Sequence, residues 1–380
     1  MKKLISALLT LCMLVLAVPS MAEPSTFAGG SGTPEDPWQI ETAGQLDAVR
    51  NDLTASYVLT ADIDLAGIDF APIGAFVPAS GDFESDEVPD AALAFSGTFD
   101  GQGHVISNLT IVDEENYCIG LFSCVYGEDA RVANLTLKNL TLTGMAMVGA
   151  IGYGAMGQPI EDIHVEGGTL TGFSMVGAVL GGGMMDMKNC SAQADIIVVG
   201  DDAQYNGIVV GGLEEASIEG CRASGTVTAT GARCFSLGGV AGCIEGGAYA
   251  KDCTAEDVVI VTGDHSFLIG GVAGHAGMSN DVTRIEGCKA LNFDIQVGEG
   301  AQRIGGIVGG GFYISAYAES FPAPERFAVV NCEASGTISG GEMTGSIAGY
   351  VHDNSTVEDC TGDDPQIGAD ASTVSLDQLY

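Results

Sequence analysis

Positive charge is what this sequence has least of: 13 lysines and arginines stand against 50 aspartates and glutamates in 380 residues, a formal net charge of −37. That scarcity excludes nucleic acid, anionic lipid and other polyanions as partners, because clustered cations would have to meet their charge. Charged residues of either sign make up only 17% against 46% apolar, too few for a disordered tail, so the chain folds. Proline is sparse and no G-X-Y period occurs, which excludes collagen. No H-E-x-x-H or G-x-S-x-G motif is present, so neither zinc peptidase nor nucleophile-elbow hydrolase chemistry has a visible basis. No C-x2-C pair occurs either, and a zinc site is not expected. The EF-hand loop and the G-G-x-G-x-D nonapeptide are also missing, which leaves weak calcium binding by turn carboxylates as the most a cofactor reading supports.

What is abundant is glycine, 56 residues, about twice ordinary usage. Its placement reveals a repeat. Val148-Gly149-Ala150-Ile151-Gly152 recurs as Leu237-Gly238-Gly239-Val240-Ala241-Gly242, Ile269-Gly270-Gly271-Val272-Ala273-Gly274 and Ile304-Gly305-Gly306-Ile307-Val308-Gly309. The leading glycines fall at 120, 149, 177, 207, 238, 270, 305 and 345, so a unit of 28 to 40 residues occurs eight times. Downstream in most units lies a second signature, a cysteine after a turn residue: Cys190, Cys221, Cys253, Cys288, Cys332 and Cys360, with Leu135 and Ile163 in the same slot earlier. Cysteine alternating with leucine and isoleucine marks an inward-facing position, and the polar residue that follows marks the period of 2 of a half-buried strand. A third short strand follows, as at Gly225-Thr226-Val227-Thr228.

Three short strands per unit of about 30 residues, separated by glycine, asparagine and aspartate, predict an all-β fold: a right-handed parallel β-helix, a three-sided solenoid. The six cysteines then stack as a column of small buried thiols. Cys118/Cys124 and Cys234/Cys243 are the pairs open to a local disulfide. At the amino-terminal side Thr42-Ala43-Gly44-Gln45 is a capping box, with Leu46, Val49 and Leu53 on one helical face, so a short helix-containing cap is expected.

Lys2 and Lys3 precede an apolar run from Leu4 to Val18, and Ser20-Met21-Ala22 offers a cleavage site, the pattern of a signal peptide. The run is shorter than the roughly 20 residues a membrane span needs, so a secreted or cell-surface location without membrane insertion is expected. The expected organisation is 1–22 signal peptide, 23–112 cap and first coils, 113–365 repeat solenoid, and 366–380 tail.

The ordered run Phe27-Ala28-Gly29-Gly30-Ser31-Gly32-Thr33-Pro34-Glu35-Asp36-Pro37-Trp38-Gln39-Ile40, then Pro72-Ile73-Gly74, then Phe95-Ser96-Gly97-Thr98-Phe99-Asp100-Gly101-Gln102-Gly103 resembles bacterial surface proteins with GLUG-motif repeats. The likeness extends to the β-helical regions that precede the peptidase domain in immunoglobulin A1 proteases. It implies an exported, adhesin-like, non-catalytic binding or structural module whose partner is a carbohydrate or a host or surface protein. The competing reading is a polysaccharide-active lyase or glycoside hydrolase, which also uses this fold.

For a ligand, the longest insertion, 311–327, is the expected groove wall, with Tyr313, Tyr317 and Phe321 as candidate contacts. The acidic insertion at 75–94 is the second loop of this kind. Of the histidines, His164 is expected on an outward strand position, and His265 and His275 as solvated residues at coil corners.

Overall fold

The computed structural model describes residues 26–76, 92–277, 281–311, 326–352 and 354–368. The leader, the acidic stretch 81–87, Tyr313, Tyr317 and Phe321 lie outside the described residues. The chain winds as a right-handed parallel β-solenoid with three faces. One coil shows the plan: Phe235–Gly238 on the first face, Ala241–Glu245 on the second, then Tyr249–Lys251 and Thr254–Thr262 on the third. These faces form sheets of 8, 7 and 19 strands among the described residues.

Register between coils follows the glycine period. On the first face Gly207, Gly238, Gly270, Gly305 and Gly345 are successive partners. Glycine is needed here because the chain turns from the first face to the second within a few residues. A methyl group at Gly238 or Gly270 would land on the carbonyl oxygen of Ala241 or Ala273. Beside this column runs Ile119, Val148, Val176, Asn206, Leu237, Ile269 and Ile304, all buried. Asn206 replaces an aliphatic residue there at no loss of polar satisfaction. Its Oδ1 accepts from the Val176 N–H at 3.0 Å and its Nδ2 donates to the Gln204 carbonyl at 2.9 Å.

Strand allocation differs from the sequence expectation in one respect. The glycine signature spans two faces, while the cysteine strand and the strand after it are one bent strand on the third face, as in Arg222–Ala229. The bend is absorbed by register shifts between Glu166 and Thr169, Ala223 and Gly225, and Leu291 and Phe293, so pairing between coils continues through it.

Within the third face, after its first short strand segment, the chain turns sharply at Asn134, Asp162, Asn189, Gly220, Asp252, Gly287, Asn331 and Asp359, every one with positive φ. Glycine, asparagine and aspartate tolerate this left-handed conformation best, which accounts for their recurrence. The next residue is the cysteine slot. The residues following each cysteine are register partners from Ser191 through Arg222, Thr254, Lys289 and Glu333 to Thr361. Cys190, Cys221, Cys253, Cys288 and Cys332 are buried in the core, and Cys360 is half-buried in the last coil. Each also points its Sγ at the carbonyl two residues back, for example Cys253 to Lys251 at 3.4 Å.

The cap closes the amino-terminal end. Thr42 and Gln45 form the capping box, but the helix Ala43–Asp47 passes after one turn into the 3-10 turn Ala48–Asn51. Arg50 reaches back to Asp47 and across to the Pro72 carbonyl, both at 2.7–3.0 Å, which holds that tighter turn against the next segment. Leu46 and Val49 are fully buried, and Phe27 stacks on Trp38 with ring centroids 5.1 Å apart. No helix among the described residues is long and apolar enough to cross a membrane.

Candidate binding face and a buried histidine cluster

The outer surface of the third face carries most of the basic residues, and they are interleaved with acids. Glu161, Lys188, Glu219, Lys251 and Glu286 are successive register partners, so charge alternates along the axis. Lys138 pairs with Glu166 at 3.1 Å, Lys289 with Glu333 at 2.9 Å and Arg284 with Glu286 at 2.7 Å. The guanidinium of Arg284 holds the Glu286 carboxyl below its ordinary range. Parallel in-register stacking would otherwise place like charges about 4.8 Å apart, so alternation removes a repulsion that the fold itself creates.

Where the third-face strands bend, the surface sinks. One depression of about 470 Å3 is lined by Lys138, Glu166, Gly168, Gln193, Asp195 and Gly225. The adjoining one, about 360 Å3, is lined by Glu166, Gln193, Arg222, Ser224, Glu256 and Asp257 among others. Glu166 and Gln193 belong to both, so the two make one open track across neighbouring coils. A third depression of about 450 Å3 lies nearer the cap, between Gln102, Asn134, Thr136, Asp162 and His164. His164 faces outward there, with Nδ1 2.8 Å from the Ser191 hydroxyl. The lining is hydrogen-bonding rather than aromatic, and acids outnumber cations in it.

His265 is exposed at a turn, but His275 is not the solvated corner residue the sequence suggested: it lies in the second-face strand Ala273–Gly277 and is fully buried. Its register partners are Cys243 and Gly310, so it occupies the outer column of that face, where other coils place Tyr153, Gly182 and Gly212. That column is covered because the first-face strands hold their middle residues at positive φ, Tyr205, Ser236 and Leu268 among them, next to the second face. Ser236 Oγ lies 2.5 Å from His275 Nδ1 and 2.9 Å from the Gly242 carbonyl, to which it donates. On the other side His275 Nε2 is 2.7 Å from Glu245 Oε1, and the Tyr205 ring lies 5.8 Å away. Burial and the Glu245 charge push the nearby Cys243 thiol well above its usual range.

This order of hydroxyl, imidazole and carboxylate is that of a nucleophile, base and orienting acid. Ser236 and His275 are both fully buried, however, and a substrate carbon must reach the hydroxyl oxygen for that chemistry. With the Ser236 proton on Gly242, the serine lone pair faces His275 Nδ1 at 2.5 Å, and Nε2 stands beside the Glu245 carboxylate. The cluster ties three successive coils at one corner. No group of three or more histidine, cysteine, aspartate or glutamate side chains suited to a metal occurs among the described residues. All ten described cysteines are free, so neither Cys118/Cys124 nor Cys234/Cys243 is bridged.

No family model matches the chain. Two curated proteins share segments of it. A "Putative Gly-rich membrane protein" of Evansella cellulosilytica is 39% identical over 124 residues, 30% of this chain and 12% of the relative. "Halomucin" of Haloquadratum walsbyi is 39% identical over 99 residues, 24% of this chain. The chain thus spans about a tenth of the first relative and 1% of the second. Among solved structures, a "putative immunoglobulin A1 protease" from Bacteroides ovatus matches with a TM-score of 0.55 and 20% identity, over 73% of this chain and 87% of that one. At that identity the likeness is one of fold. The solenoid is therefore a known bacterial architecture.

Proposed function

We propose that this protein is an exported, adhesin-like binding and structural module of the kind the GLUG-motif resemblance implies, without catalytic activity, and that it holds an extended uncharged or cationic polymer along the bent third face. The observation that carries this is the pair of adjoining depressions sharing Glu166 and Gln193. An open track lined by amide, hydroxyl, carboxylate and guanidinium groups suits the hydroxyl-rich chain of a polysaccharide, or an extended segment of a surface protein. An enclosed pocket would suit a small molecule instead. Export is supported by Lys2, Lys3, the apolar run Leu4 to Val18 and the Ser20-Met21-Ala22 site.

The alternative, a polysaccharide lyase, needs unpaired positive charge beside the uronate, whereas the third-face cations Lys138, Lys251 and Lys289 face acids. Incubation of the purified mature protein with a polysaccharide panel separates the readings. Binding without new unsaturated or reducing ends is expected; release of such ends that disappears on substitution of Glu166 or Asp195 would replace binding by catalysis. Among binders, Gln193→Ala with Arg222→Ala is expected to weaken retention on a glycan array. The triple change of Tyr313, Tyr317 and Phe321 to Ala tests the insertion as the competing wall. Loss of binding in the triple variant alone would move the site there.

A further inference from the structure

Seven of the twelve methionines fall between residues 145 and 187, and two of the ten mature cysteines, Cys118 and Cys124, belong to the coil just before them. The fold gathers part of this sulfur at the corner between the first and second faces. Cys118, Met147 and Met175 occupy the same middle position of successive first-face strands, as the register of their neighbours Tyr117, Ala146 and Ser174 shows. All three have positive φ, the conformation that in this column turns the side chain toward the second face. Cys118 Sγ and Met147 Sδ are 3.3 Å apart. Cys124 is in the second-face strand of the same coil as Cys118, with Tyr153 as its register partner. Met175 lays its sulfur over Gly182, the partner of Tyr153 in the following coil.

We propose that Cys118, Cys124 and Met147 form a three-sulfur site for a soft monovalent cation, copper(I). Two thiolates and a thioether select copper(I) over zinc, calcium or magnesium, which need more donors or harder ones. Histidine, cysteine, aspartate and glutamate alone do not assemble a site here, and the thioether supplies the third donor. Both thiols are fully buried and free, while Met147, in contact with Cys118, and Tyr153, the register partner of Cys124, are half-buried. Two residues further along the second face, at the level of Tyr126 and Ala155, Met156 and Met184 are exposed, and Met156 accepts the Tyr126 hydroxyl proton at 3.0 Å.

Burial, with Cys124 adding to it, pushes the Cys118 thiol well above its ordinary range, and burial raises Cys124 to about 12. Without metal both are therefore protonated at neutral pH. Copper(I) displaces both protons to water, no electron is transferred, and the bound centre carries one net negative charge. Apparent affinity rises with pH as a result.

The experiment is an anaerobic titration of the purified mature protein with copper(I) against a chromophoric copper(I) chelator, followed by the ultraviolet thiolate-to-copper absorption. One tightly held equivalent is expected. It should vanish in C118S/C124S, weaken by roughly tenfold or more in M147L, and persist in C253A, which alters only the core column. Unchanged stoichiometry in a folded C118S/C124S variant overturns the proposal. Should that variant not fold, X-ray absorption on the copper-loaded native protein decides: a three-sulfur shell supports the site, and nitrogen or oxygen neighbours overturn it. A Cys118–Cys124 disulfide in the secreted protein overturns it too, since the thiolates would then be absent.

Discussion

Ser236 and His275 are 39 residues apart in sequence, yet their side chains meet at 2.5 Å in a corner sealed from solvent. They do so because one coil separates them, and because Ser236 sits at the positive-φ position that turns first-face side chains onto the second face. The contact joins consecutive coils where the backbone bonds change direction. Removing it should loosen the solenoid rather than a reaction.

His275→Ala leaves the Glu245 carboxylate, itself only 15% exposed, without its imidazole. The expected cost is about 1–3 kcal/mol, and Ser236→Ala should cost a similar amount because it takes a donor from the Gly242 carbonyl and the hydroxyl partner from His275 Nδ1. A double-mutant cycle by thermal unfolding measures the coupling. Glycan retention by the folded variants should match that of the native protein, and a variant that unfolds normally but no longer binds would place the ligand at this corner.

The core cysteine column should be chemically silent in the folded state. Cys190, Cys221, Cys253, Cys288 and Cys332 are closed off from solvent in the core, where a reagent does not reach their thiols. A thiol reagent should modify Cys360 first and the five buried members only as the protein unfolds. Cys253→Ser is expected to cost more than Cys253→Ala, by about 1 kcal/mol, because a hydroxyl resists transfer into an apolar core more than a thiol does. Chemical denaturation of the two variants gives the difference.

Two glycines should respond in opposite directions to the same substitution. At Gly238 an added methyl meets the Ala241 carbonyl, so Gly238→Ala should destabilise by about 2 kcal/mol or more. At Gly44, inside the cap helix, an added methyl has nothing within 4 Å, and Gly44→Ala should stabilise by about 0.5–1 kcal/mol. Melting temperatures of the two single variants are the check.

Acid should act on stability in two opposed ways. The Val105 N–H and His104 hold Asp62 below its ordinary range, the Arg233 guanidinium does the same to Asp202, and Arg284 to Glu286. A carboxylate with a lower pKa folded than unfolded stabilises above its unfolded value, and that contribution is lost as pH falls through the folded one. Self-repulsion from a charge of −37 works the other way, since protonation relieves it. The melting temperature is therefore expected to hold or rise from about pH 7 to about 5 and to fall below about 4. Added salt at neutral pH should raise it by screening. A steady fall from pH 7 downward would mean that the paired carboxylates outweigh the repulsion.

The solenoid was legible from the residues because its constraints recur at every coil. A glycine where the chain turns between faces, an Asn, Asp or Gly at the next corner and a small apolar residue after it are each dictated by local backbone geometry. Gly238, Asp252 and Cys253 therefore carry their roles in their own identities and spacing. Outward side chains are marked less fully. Lys188 and Lys251 share a polar slot two residues before their column cysteines, which reads as an outer face, and the register stacks them in alternation with Glu161, Glu219 and Glu286. Gly-His-Ala at 274–276 reads as one more turn. Its burial depends on Ser236 and Tyr205 from earlier coils, side chains that a linear pattern does not bring together. The sequence by itself determined the coil, its period and its inward column, since those follow from backbone sterics and burial repeated along the chain. Tertiary structure alone decided which outward groups meet, because that depends on how residues some 30 positions apart fall into register.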